Sequence, residues 1–200
     1  VMVDEATEDI TKMAAMSPSE TTYFDTSVAA HAKHRIAWLL ILMFSSTITG
    51  SIITKYKNAF AAIPLLVSFI PMLMDTGGNC GSQSSTLIIR GIALGEIRFS
   101  DLFRVMFKEF RVSLIVGVVL ALANGLRILI MYRNAGLALV IGLSLVATVI
   151  ISKLIGCLLP LFAKKLHMDP AIMASPLITT LVDTCSILIY FNIATRIFQL

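Results

Sequence analysis

Long apolar runs alternate with short polar connectors along this chain. Five runs predict helices: Ile36 to Thr54, a second starting at Ala59, Val112 to Met131, Ala135 to Phe162 and Ala171 to Phe198. The connectors "KYKN", "YRN" and "AKKLHMDP" join them. A helix needs roughly 20 apolar residues to cross a hydrocarbon core, and these runs are long enough. Residues 1–35 are polar and helical in pattern, and 36–200 read as a membrane portion. The expected fold is all-α and integral to the membrane, with five transmembrane helices.

Composition strengthens this reading. The chain has 200 residues, 57% hydrophobic and 14% charged, where soluble domains hold about 45–50% apolar and about 25% charged residues. The net charge of +4 fits a sorting of loops better than a nucleic-acid partner. With the N-terminus in the cytoplasm, ten Lys and Arg fall inside and five outside, Lys153 lying within the fourth run. The positive-inside rule therefore orients the chain N-in and C-out. Cys80, Cys157 and Cys185 lack metal-ligand spacing and read as small buried residues of a reducing compartment. Val1 to Met16 is acidic and lacks the basic start of a signal peptide.

The second run is too long for one span. From Ala59 to Gly95 it would measure roughly 55 Å as a helix, against a core of about 30 Å. It either projects into the cytoplasm or breaks, and Gly77-Gly78 is the expected break, in surroundings that are wet or packed in protein. Gly117, Ala121 and Gly125 on the third run, and Ser152 and Gly156 on the fourth, predict close helix contacts. The absence of an internal repeat weighs against an inverted-repeat transporter.

Two polar stripes interrupt the apolar sequence. Asp75, Asn79, Ser82, Gln83, Thr86 and Arg90 follow steps of three and four, so they share a helix face. Ser175, Thr179, Asp183 and Ser186 do the same on the fifth run. Pro176 beside them is expected to disturb one turn and free the carbonyl of Ile172. A mid-membrane aspartate such as Asp183 costs roughly 2.5–3.5 kcal/mol on insertion scales, so it requires a partner or water. Two readings stay open: a structural pair with Lys153, and a cation site.

The stripes supply carboxylate, amide, hydroxyl and carbonyl oxygen, while His31, His34 and His167 lie outside the runs. Oxygen surroundings suit magnesium, calcium or manganese. Magnesium keeps most of its water and is commonly held through one or two carboxylates. Two chains on a two-fold axis would bring two Asp183 carboxylates to one ion. Composition does not separate these cations.

At this point a family resemblance becomes specific. The stretches "PMLMDTGGNCGSQSSTLIIRGIALGEI" and "DPAIMASPLITTLVDTCSILIYF" resemble the two signature stretches of the MgtE magnesium channels, which also relate to animal magnesium solute carriers. "DEATEDITKMAAM" resembles the plug helix that precedes their membrane domain. The resemblance implies a homodimer in a bacterial inner membrane, with a pore on the two-fold axis passing hydrated Mg2+ down its gradient. It also implies that Asp183 holds the ion, with the backbone carbonyl of Thr179 one turn before it. Ser82 and Thr86 match pore positions of the second helix, beside Asn79 and Gln83, and Ser175 matches the residue before the fifth-helix proline, Pro176. Some members carry asparagine where Ser82 and Ser175 stand, and the shorter reach of serine bears on fine selectivity. Members also carry an N-terminal domain and paired CBS modules, so the chain resembles a membrane-domain piece. Glu5, Glu8 and Asp9 match plug-helix residues that bind regulatory magnesium. Read by themselves, they form a solvated acidic first turn favoured by the helix dipole.

Two other functions compete. An ion-coupled carrier would use the same site. An intramembrane aspartyl protease would need Asp75 and Asp183 as a pair, but the Gly-x-Gly-Asp pattern is missing around Asp183. The Asp-Thr-Gly triplet at Asp75 ends an apolar helix instead of a β-turn, and no enzyme is expected. Asp75 reads as the cap of a helix restarting after the glycines.

Overall fold

The computed structural model describes residues 8, 10–14, 23–173 and 175–199, and the regular structure among them is helical. The main elements are α1 (Val28–Lys55), α2 (Lys57–Ala62), α3 (Ile70–Ala93), α4 (Leu102–Tyr132), α5 (Ala135–Lys165) and α6 (Ser175–Phe198). Tighter 3-10 turns cover Pro64–Phe69, Phe99–Asp101 and Pro170–Met173.

Local chemistry sets several of these limits. The Ser27 hydroxyl accepts the Ala30 N–H at 3.2 Å and starts α1. The Asn134 side chain accepts the Leu137 N–H at 2.9 Å and starts α5, satisfying donors that a helix start leaves orphaned. Arg133, at φ 49°, ends α4 in the left-handed region. Arg133 and Asn134 alone join α4 to α5, which packs back against it. Gly95 takes φ 71° just after α3, a conformation that favours glycine.

Helix α5 is the centre of the protein and packs against α3, α4 and α6, while α1 packs mainly on α6. Two apolar clusters occupy opposite ends. One joins Leu66, Phe69 and Leu73 to Ile128, Ile141, Tyr190 and Phe191. The other joins Ile88, Val105, Cys157 and Leu161. The α3 and α5 segments between them bury Ser84, Ser85, Ser144, Thr148, Ser152 and Lys153, a polar belt across the middle. Many large apolar side chains of α1 and α4, among them Leu39, Phe44, Phe103, Ile115 and Leu122, point outward. Lipid tails solvate such a surface as well as a protein core would. Four helical segments are long and apolar enough to cross a membrane: Val28–Lys55, Phe99–Tyr132, Ala135–Lys165 and Pro176–Phe198. α3 spans 24 residues, about 36 Å at the usual rise; it is long enough, and its polar side chains set it apart from the other four.

Three sequence expectations are corrected. α3 runs unbroken through Gly77-Gly78, and the irregular backbone comes earlier, at the 3-10 turn Pro64–Phe69. The glycines serve packing. A Cβ on Gly77 would lie 2.7 Å from Val182 Cγ1, one on Gly78 2.8 Å from Thr179 Cγ2, and one on Gly81 2.6 Å from Ile178 Cγ2. Close contact with α6 holds the helix through its glycines despite their poor intrinsic propensity. Asp75 therefore lies inside α3 and caps nothing. Pro176 is the second residue of α6, where a missing N–H leaves no helical bond unmade, so no mid-helix turn is disturbed.

The small-residue contacts are mixed. Gly117 meets the Val146 backbone, a Cβ there lying 3.2 Å from Val146 Cα, and Gly156 lies against the Gly81 backbone. Gly125 faces open space. The cysteines are free thiols, Cys80 and Cys157 buried and Cys185 half-buried.

Candidate ion site

Gly77, Gly78 and Gly81 form the face of α3 that lies against α5 and α6. Helical periodicity then turns the polar stripe the other way. Asp75, Asn79, Gln83, Thr86 and Arg90 are exposed, and Ser82 is half-buried. The same seam puts Gly78 against Thr179, so the stripes of α3 and α6 border one another. Thr179 and Asp183 are half-buried at that border. Asp75 is near enough for its charge to act on the Asp183 carboxylate. The Thr179 and Thr180 hydroxyls both donate to the Pro176 carbonyl at 2.9 Å, fixing the first turn of α6. Ser186 leaves the stripe: it is buried and faces Gly77. The side chain of Ser175 lies outside the described residues.

Lys153 does not pair with Asp183. It is buried and donates from Nζ to Ser84 Oγ at 3.3 Å. Ser84 in turn donates to Glu109 Oε2 at 2.6 Å, and Lys153 Nζ lies 4.0 Å from the same carboxylate oxygen. This network ties α3, α4 and α5 together on the side of α3 away from the open stripe. Sequence reasoning missed Glu109 as its member. The signal was present: Glu109 is in step with Val105 and Ser113, and all three are buried on one face of α4. Among the described residues, no lysine or arginine forms an ion pair with Asp183.

The acidic start is only partly in view, since Glu5 and Asp9 lie outside the described residues. Glu8 meets Lys12 at 2.6 Å, and Lys12 also donates to Asp169 Oδ2 at 2.6 Å. Asp169 further accepts the Ala171 N–H at 2.9 Å. Burial pushes the Asp169 carboxyl up, but the Lys12 hydrogen bond, the Ala171 N–H and the Lys12 and Lys164 charges together hold it below its ordinary value. The hydrogen bonds of Asp169 and Glu8 hold Lys12 above its own. An ionic contact thus links the N-terminal helical turn to the loop entering α6. Among the described residues, no three His, Cys, Asp or Glu side chains gather as a metal-ion cage.

The open face therefore offers two carboxylates from neighbouring helices, amides and hydroxyls, all oxygen-rich and none arranged to strip an ion bare. Such a surface suits a hard cation that keeps its water.

Residues 70–193 match the family model of MgtE, described as a divalent cation transporter. The chain is 40% identical over 195 residues to a magnesium transporter MgtE of Bacillus subtilis, covering 98% of this chain and 43% of that protein. A magnesium transporter MgtE of Thermus thermophilus is 35% identical over 201 residues, covering 100% and 44%. One of Enterococcus faecalis is 33% identical over 195 residues, covering 98% and 42%. The chain thus spans less than half the length of these relatives. With the family model covering α3 through most of α6, the very helices that carry both polar stripes, the chain belongs to the MgtE family of divalent cation transporters.

Proposed function

We propose that this chain forms, as a homodimer, the membrane pore of a magnesium channel, with α1, α3, α4, α5 and α6 each crossing the bilayer. The observation that carries this reading is the open polar face of α3 beside the half-buried Asp183. Hydrocarbon cannot satisfy carboxylates and amides, and an unmade hydrogen bond there costs several kcal/mol. A second copy facing the first across a two-fold axis encloses both faces around water. The names of the relatives point to magnesium as the substrate.

Asn79, Ser82, Gln83 and Thr86 hold the waters of the passing ion, and the two Asp183 carboxylates supply the charge that favours a divalent one. Magnesium gives up its water reluctantly, so contacts through water suit it better than a closed cage. The ion follows its electrochemical gradient into the cytoplasm of a bacterial cell, with the N-terminus inside and the C-terminus outside. The added length of the relatives fits an N-terminal regulatory region that joins the channel through residues 1–35.

Liposomes holding wild-type or Asp183→Asn chains, read with magnesium- and calcium-sensitive dyes, test this reading. Wild type admits magnesium without a sodium or proton gradient, and the variant loses magnesium flux or its selectivity over calcium. Flux that demands a sodium or proton gradient replaces the channel by a coupled carrier. Flux in the variant equal to wild type removes Asp183 from the pathway.

A further inference from the structure

A groove of about 580 Å3 opens between α3, the 3-10 turn before it, and α4. Its lining includes Ser68, Thr76, Leu120, Asn124, Arg127 and Leu145. Arg127 is five residues from the end of α4 at Tyr132, about 7.5 Å along the axis, and its side chain is exposed. This helix is long and apolar enough to cross a membrane, and long basic side chains near the end of such a helix reach toward the headgroups.

The donors in the groove outnumber its acceptors. Arg127 has five N–H donors and no acceptor. Its Nε donates to Asn124 Oδ1 at 2.9 Å, and among the described residues no carboxylate pairs with it. Because Arg127 can only donate, the Asn124 oxygen must face it, and this leaves Asn124 Nδ2. That nitrogen is buried and unpartnered among the described residues. The hydroxyls of Ser68 and Thr76 are also in the lining. A guanidinium fixed by Asn124 and two hydroxyls beside an apolar wall of Pro71, Met72 and Leu120 match a many-oxygened anion that carries hydrocarbon. Arginine is the side chain best suited to bind phosphate oxygens in pairs.

We propose that this groove binds the headgroup phosphate of an anionic phospholipid, held by Arg127, which Asn124 positions. The lipid supplies the counter-charge that the protein does not provide to Arg127, and its acyl chains lie along α3 and α4.

The test is lipid retention. The chain is reconstituted in vesicles of equal parts phosphatidylglycerol and phosphatidylcholine and then extracted in mild detergent. The lipid left on the folded protein is counted by mass spectrometry. Wild type retains phosphatidylglycerol over phosphatidylcholine, and Arg127→Gln lowers that retention about tenfold, as losing a charged hydrogen-bond partner does. Arg127→Lys restores part of it, and inorganic phosphate in the buffer does not displace the lipid. Equal retention by wild type and Arg127→Gln overturns the proposal, as does displacement by inorganic phosphate. Should Arg127→Gln fail to fold, Asn124→Leu decides: a retention about threefold below wild type supports the site, and unchanged retention rejects it.

Discussion

Asp183 and Glu109 are both carboxylates set into apolar membrane helices, yet the fold treats them in opposite ways. Glu109 is buried, accepts the Ser84 hydroxyl and lies beside the Lys153 ammonium. Asp183 is half-buried, has no ion-pair partner among the described residues, and shares its surroundings with a second acid, Asp75. An acid that is satisfied from within the protein is part of its framework. An acid left partly open with a like charge nearby is chemically suited to a cation. The difference lies in which face of α3 each one meets: Glu109 meets the buried face through Ser84, and Asp183 borders the open one.

Stability measurements can break this comparison. Lys153→Met leaves the Glu109 carboxylate buried beside only a hydroxyl, and removing one partner of such a pair costs about 3–5 kcal/mol. Thermal unfolding in detergent micelles then shows a large fall in the midpoint, partly recovered when Glu109→Gln is added. Asp183→Asn removes a charge that no lysine or arginine neutralises among the described residues, so its midpoint stays equal or rises. If Asp183→Asn lowers the midpoint as far as Lys153→Met, the two acids are alike and the distinction fails.

The glycine seam gives the next largest effect. A Cβ on Gly156 runs into the Gly81 backbone. Gly156→Ala therefore lowers stability by about 1–3 kcal/mol, and magnesium flux falls although every polar residue of the open face is intact. Flux at the wild-type level would mean that the spacing of α3 and α5 does not set the site.

A smaller change lies at the α1–α6 contact, where the Thr49 and Thr184 hydroxyls meet at 2.8 Å. Thr184→Val costs about 0.6 kcal/mol, the typical value for a side-chain hydrogen bond in a membrane protein. Chemical denaturation resolves a loss of that size.

The smallest expected effect is outside the membrane, at Lys12 and Asp169. The Asp169 carboxyl is held below its unfolded value, so its contribution is complete above that value, about pH 4, and fades as the pH falls through the lower folded value. Lys12 is held above its unfolded value, so its share is complete below about pH 10 and fades as the pH rises beyond it. Spin labels on cysteines introduced at Met13 and His167 should hold one distance between about pH 5 and pH 9 and lose it only in acid well below about pH 4. A distance that ignores acid would show that other contacts hold the N-terminal turn.

Much of this was legible along the chain. Four of the apolar runs became helices of the expected order, and α5 ends within three residues of its expected limit, at Lys165 instead of Phe162. Steps of three and four placed Asp75, Asn79, Gln83 and Thr86 on one face because helical spacing is local. The solitary Asp183 stood out because a charge amid apolar residues needs an explanation wherever the helix goes. Local chemistry does not reveal what a helix meets. Gly77-Gly78 read as a break because glycine is a poor helix former, and only the nearness of Val182 and Thr179 turns the same missing Cβ into a packing surface. Lys153 had three possible acids within the long helices, Asp75, Glu109 and Asp183. It lies beside Glu109 and not Asp183 because its face of α5 is turned toward Ser84 of α3 and toward α4. The sequence by itself determined which helices form and which face of each is polar, since both follow from neighbours within a few turns. Only the tertiary structure decided which polar groups were satisfied inside and which were left open, because that depends on how closely separate helices can approach.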